Sequence, residues 1–148
     1  MKNDADQMER LSILVSDYMN SIVASYTRLL DSDLTAPQYL ILQKLAGHEK
    51  LNCSELAASL GVTLPAVTNL SNKLVRKGLA ERVPSEADRR SVYLIITDAG
   101  RAVYSDLLQK YIEVTKQVWS DFSEEELSLL IRTYEKMTER MQQKLQHK

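Results

Sequence analysis

The run S-E-L-A-A-S-L-G-V-T-L-P-A-V-T-N-L-S-N-K-L-V-R-K-G, residues 54–78, decides how the rest of the chain is read. Its first part, residues 54–60, puts Leu56, Ala57 and Leu60 on one side of a short helix. Gly61 follows, a residue that enters the left-handed conformation ending a helix without a Cβ penalty. Thr63 is placed to cap a second helix that starts at Leu64. Helix, three-residue turn, helix is the spacing of a helix-turn-helix, and Gly78 ends the second helix.

Downstream, L-A-E-R-V-P at 79–84 and S-V-Y-L-I-I-T at 91–97 read as two short strands around a polar connection. Val92, Leu94 and Ile96 share one face, and Tyr93, Ile95 and Thr97 the other. A hairpin directly after a helix-turn-helix is a wing. At its tip stand Arg89 and Arg90, which repel one another in a place where solvent screens charge and folding gains little. Their beneficiary therefore lies outside the chain. A hairpin tip is too narrow for major-groove work, but an arginine fits a narrow minor groove, where the negative potential is enhanced. Asp88 beside them has two compatible readings: a carboxylate that pre-orients the tip through Arg90 or backbone amides, and an ordinary turn residue.

The second helix has two faces. With Val67 inward and 100° per residue, Leu70 and Leu74 return to the core side. Pro65, Asn69, Asn72 and Arg76 cluster opposite, flanked by Ala66, Thr68 and Lys73. A solvated helix face usually mixes signs, with Glu placed to pair Lys or Arg, whereas residues 64–77 hold no acid. Amides for adenine, a guanidinium for guanine, small apolar groups for thymine methyls, and Lys and Thr for phosphates are what a DNA major groove requires.

Around this core the chain reads as helical. Of its 148 residues only 4 are Gly and 3 Pro, and 44% are apolar. Apolar stripes run through residues 8–30, 101–120 and 127–145. Capping boxes begin helices at Asn52 with Glu55, Ser123 with Glu126, and Thr35 with Gln38, each next to a hydrophobic staple. The fold class is mainly α with a small β-wing (α+β), arranged as a dimerisation helix (1–34), a winged helix-turn-helix (35–98) and closing dimerisation helices (99–148).

The three long helices carry more apolar surface than the small winged domain can cover. Leu11, Val15, Tyr18, Ile22, Leu127, Ile131, Tyr134 and Met141 are therefore expected to meet a second copy of the chain. Two-fold symmetry then sets the two reading helices about 34 Å apart, one turn of DNA, and dictates a palindromic site.

Formal net charge is −1, yet residues 64–93 carry 6 basic and 3 acidic groups against 3 and 6 in residues 1–34. The basic excess is local to the motif. The acidic opening lacks a signal peptide's pattern and no apolar run is long enough for a bilayer, so a cytoplasmic protein without membrane contact is expected. One cysteine and two distant histidines give neither a disulfide framework nor a metal site. No cofactor is implied. No nucleophile with a partnered histidine and no phosphate loop appears, so no enzyme is read here.

L-T-A-P-Q-Y-L-I-L at 34–42, S-E-L-A-A-S-L-G-V-T at 54–63, L-V-R-K-G-L-A-E-R at 74–82 and D-R-R-S-V-Y-L-I-I-T-D-A-G at 88–100 resemble the MarR family of bacterial winged helix-turn-helix regulators. The resemblance runs in order over residues 8–145. It implies an intertwined homodimer on a palindromic operator, commonly a repressor relieved by small phenolic or lipophilic anions or by oxidation. Asp88 and Arg90 match the family's D-x-R wing motif, which makes Arg90 the minor-groove residue and Arg89 the variable middle position. Residues 64–77, preceded by the capping Thr63, match its recognition helix. The oxidant-sensing branch carries its cysteine in the first helix, where residues 5–30 have none. At Asn69 family members often carry a basic residue instead.

Three readings stay open. Tyr18, Tyr26, Tyr39 and Tyr111 are either effector-pocket residues at the junction of the long helices with the winged domain, or core. Cys53, at a helix start, is either a thiol activated by the helix dipole or a small buried side chain. The whole module either reads DNA or binds protein or RNA.

Overall fold

The computed structural model of the protein describes residues 2–30, 33–85 and 92–146. Among them are six helices and three strands: α1 (Lys2–Leu29), α2 (Ala36–Ala46), β1 (Leu51–Asn52), α3 (Cys53–Leu60), α4 (Leu64–Arg76), β2 (Ala80–Pro84), β3 (Val92–Ile96), α5 (Asp98–Trp119) and α6 (Glu124–Gln146). The chain divides into two compact units, residues 1–36 and 37–148.

The first unit is essentially α1. Apolar residues recur along α1, and none of the helix's described side chains is buried. Helix propensity and hydrogen bonds alone give a single helix little stability in water, so α1 needs a covering partner for its apolar face.

The second unit holds the core. Tyr39, Ile41, Leu42 and Leu45 of α2 are buried, as are Leu56 of α3, Val67 and Leu74 of α4, Ala80 of β2, Leu94 of β3 and Leu107 of α5. Burying a Leu, Ile or Val side chain is worth about 1.5–3 kcal/mol, and α3 packs directly against α4. Tyr39 is 1% exposed and its ring lies 5.8 Å from that of Tyr104, joining α2 to α5. Arg101 of α5 also donates to the Ala46 carbonyl, at 3.3 Å.

Local chemistry sets the boundaries of α3 and α4. Asn52 Oδ1 accepts from the Glu55 N–H and Glu55 Oε2 accepts from the Asn52 N–H, both at 2.8 Å, closing the capping box. Gly61 takes φ 65° and Val62 N–H reaches the Ala57 carbonyl at 3.1 Å, ending α3. Thr63 then caps α4, its Oγ1 accepting from the Ala66 N–H. The helix-turn-helix expected at 54–78 is present with these caps.

The sheet departs from expectation in one respect. Besides the hairpin of β2 and β3 there is a third strand, β1, and the order is β1-β3-β2, all antiparallel. Leu51 faces Leu94 on one side of β3, and Arg82 faces Leu94 on the other. Two residues are too few to show a period, which is why β1 has no signature of its own. It fastens the start of α3 to the root of the wing.

Helix α5 begins at Asp98, three residues before its apolar stripe. Thr97 serves as its cap, Oγ1 accepting from the Gly100 N–H at 3.0 Å, and the same hydroxyl donates to the Gly78 carbonyl at 2.6 Å. A side chain at Gly100 would overlap the Leu79 carbonyl oxygen. One threonine and one glycine thus lock the end of α4, the root of the hairpin and the start of α5 together. At α6 the Ser123 and Glu126 box forms as expected.

Candidate nucleic-acid interface

The interface is built on α4. Inward, Val67, Ser71 and Leu74 are fully buried, while Leu70 is half-buried. Ser71 joins the expected inward set of Val67, Leu70 and Leu74. At 100° per residue, Leu74 lies about 20° from Val67, Ser71 about 40° and Leu70 about 60°, so the small serine falls within the arc that packs inward. Its Oγ has no hydrogen-bond partner among the described residues.

Outward, Thr63, Pro65, Ala66, Asn69, Asn72, Lys73 and Arg76 are all exposed. Thr68 is half-buried and its hydroxyl donates to the Leu64 carbonyl at 2.9 Å, which leaves only its lone pairs for a ligand. Lys73 and Arg76 stand in the last turn, where cations also complement the helix dipole, so part of their value is structural. Val62 and Leu64 at the start of the ridge are exposed apolar groups that a search for polar readers passes over.

One contact was not legible in the sequence. Arg82, on β2 of the wing, donates from Nη2 to Asn72 Oδ1 at 2.6 Å. The two positions are ten residues apart on different elements, and only the fold of β2 against α4 brings them together.

Asp88, Arg89 and Arg90, the expected wing tip, lie outside the described residues. The strands leading to them are β2 and β3, paired from Ala80 with Ile96 to Pro84 with Val92.

Of the residues expected to meet a second chain, Leu11, Ile131, Tyr134 and Met141 are exposed, and Val15, Tyr18, Ile22 and Leu127 are half-buried. The exposed apolar set is wider than a single stripe: Ile13, Leu14, Met19 and Val23 belong to it on α1, and Leu129 on α6. Tyr18 and Tyr26 of α1 and Tyr111 of α5 are half-buried; Tyr39 sits in the core. Cys53, the first residue of α3, is half-buried rather than sealed under the motif. Among the described residues no cluster of His, Cys, Asp or Glu could hold a metal ion, and no helix is long and apolar enough to cross a membrane.

A capped helix-turn-helix with an acid-free outer helix, followed by an antiparallel ribbon, defines the winged helix-turn-helix class. The sequence model of the MarR family matches residues 34–92. SarZ of Staphylococcus aureus, an HTH-type transcriptional regulator, is 32% identical over 113 residues, covering 74% of this chain and 74% of SarZ. YfiV of Bacillus subtilis, an uncharacterized HTH-type transcriptional regulator, is 33% identical over 78 residues, which span only 49% of YfiV. A mutant MarR of E. coli, solved in complex with operator DNA, superimposes with a TM-score of 0.67 at 26% identity, covering 91% of this chain and 96% of that one. The chain belongs to the MarR family of transcriptional regulators, which are not enzymes.

Proposed function

We propose that the chain acts in the cytoplasm as a homodimeric repressor that binds a palindromic DNA operator and is released by a small phenolic or lipophilic anion. The observation that carries the reading is the outer ridge of α4: Pro65, Ala66, Asn69, Asn72, Lys73 and Arg76 are exposed together on a helix without a single acid. In this reading Asn69, Asn72 and Arg76 address base edges, Pro65 and Ala66 meet thymine methyls, and Thr63, Thr68 and Lys73 hold phosphates. Arg90, oriented by Asp88 and accompanied by Arg89, enters the adjacent minor groove.

Residues 35–98 form the reading head, and residues 1–34 and 99–148 pair two such heads. Support for the pairing comes from the exposed apolar faces of α1 and α6. Support for the DNA partner comes from the likeness to the E. coli MarR mutant solved on operator DNA.

The test is titration of promoter fragments at several salt concentrations. The log of affinity is expected to fall linearly with the log of salt concentration, and Arg90→Ala to weaken binding to all sites while reducing the slope by about 1. Asn69→Ala is expected to relax discrimination among sites by roughly 1–3 kcal/mol if its base contact is bidentate. DNA affinity that ignores both substitutions would refute the assignment. Small phenolic and lipophilic anions added to the same titration test release directly.

A further inference from the structure

We infer that Arg82 and Asn72 act as one reading head that offers only hydrogen-bond donors, so that Asn72 selects guanine rather than adenine. The inference rests on the DNA-binding reading above and goes beyond it to the base read at one position.

Arg82 is held by the sheet, opposite Leu94 of β3, while Asn72 stands on the outer face of α4. Arg82 Nη2 donates to Asn72 Oδ1 at 2.6 Å. A guanidinium has donors and no acceptor, so the atom facing it must be the amide oxygen. The arginine therefore sets which end of the asparagine is which.

That choice bears on base reading. Adenine shows the major groove an acceptor, N7, and a donor, the N6 amino group; asparagine reads it by engaging Oδ1 and Nδ2 together. With a cation already on Oδ1, the N6 amino group would have to approach the same oxygen beside a positive charge. Its partly positive hydrogens are repelled there. Guanine instead shows two acceptors, N7 and O6. These match the two N–H groups of Asn72 Nδ2, the end of the amide that Arg82 leaves facing outward. Because the pair is joined before DNA arrives, less side-chain freedom is lost on binding.

Both residues are exposed, so the contact adds little to folding stability and a substitution at Arg82 leaves the fold intact. Arg82 is thus a positioning residue whose signature is base preference. The experiment selects sites from a random duplex pool with the native protein, Arg82→Met, Asn72→Ala and the double variant, then measures affinity for each selected site and its single-base changes. The native protein is expected to enrich guanine at the position that Asn72→Ala leaves undiscriminated. Arg82→Met is expected to move preference there toward adenine by roughly tenfold. The double variant should match Asn72→Ala.

Three results overturn the inference while leaving the proposed function standing. The native protein prefers adenine at that position, or Arg82→Met weakens every site alike with unchanged preference, as a bare phosphate contact would, or it lowers only the melting temperature. Failure of the native protein to select any site overturns both.

Discussion

The winged unit and the helices α1 and α6 are made of similar residues but stand in opposite conditions. In the first, Ile41, Leu42, Leu45, Leu56, Val67, Leu74 and Leu94 are fully buried. In α1 and α6 no described side chain is buried, although both helices carry apolar residues at helical spacing. The winged unit buries its apolar residues in the single chain, whereas α1 and α6 leave theirs exposed. A helix face of this kind in water is unstable against association, and the physical remedy is another apolar face.

The sharpest way to break this comparison is a charge on the exposed side. Ile131 is 58% exposed, so Ile131→Glu should leave the single chain folded. In a two-fold interface it buries one unpaired carboxylate from each copy in a desolvated site, at a cost of several kcal/mol. The dimer dissociation constant should rise on the order of a hundredfold or more, and operator binding should fall with it, as sedimentation and titration would show. On the buried side, Leu74→Ala should cost about 2–5 kcal/mol of unfolding free energy, with little dependence on protein concentration. An equal concentration dependence for both variants would erase the distinction.

The joint between the hairpin and α5 gives the next effect. Gly100→Ala drives a methyl group into the Leu79 carbonyl, which is backbone and cannot step aside. A loss of about 3 kcal/mol or more is expected in chemical denaturation. Unchanged stability would mean that α5 does not meet the hairpin root in solution as it does here.

Ser71 sharpens the picture from inside the core. Its hydroxyl is buried without a partner among the described residues. Removing an unsatisfied polar atom relieves a desolvation cost, so Ser71→Ala should be neutral or stabilising by up to about 1 kcal/mol. A clear destabilisation would show that the hydroxyl has a partner in solution.

The smallest effect concerns pH at the start of α6. The Glu126 carboxyl is held below its ordinary value, first by the Ser123 backbone N–H and then by the Ser123 hydroxyl. A carboxyl depressed in the folded state contributes stability above its unfolded pKa and loses it as pH falls through the folded value. The helix start should therefore fray on acidification below the usual carboxylate range, and Glu126→Ala should remove that step in the helical signal. A step unaffected by the substitution would assign it elsewhere.

What the sequence disclosed follows a simple division by distance along the chain. The caps at Asn52, Thr63 and Ser123 and the turn at Gly61 are settled by residues three or four positions apart, and each was readable from the sequence alone. The exposure of Asn69, Asn72 and Arg76 followed from 100° arithmetic. What stayed hidden depends on chain returning from elsewhere. Strand β1 exists only because β3 pairs with it. Thr97 reads as the end of a strand until Gly78 and Gly100 arrive at its hydroxyl. Ser71 is buried by geometry, not by hydropathy. The Arg82 contact to Asn72 needs the wing folded against the helix.

The proposed function requires two copies of the α4 ridge and its wing to engage one duplex. Its most direct test is a footprint of the selected operator, with chains per duplex counted in the same complex. Two chains per duplex should appear, with two protected major-groove segments about 10 base pairs apart centre to centre, both weakened by Asn69→Ala. A single chain on the duplex, or protection indifferent to that substitution, would show that the α4 ridge does not read DNA in pairs.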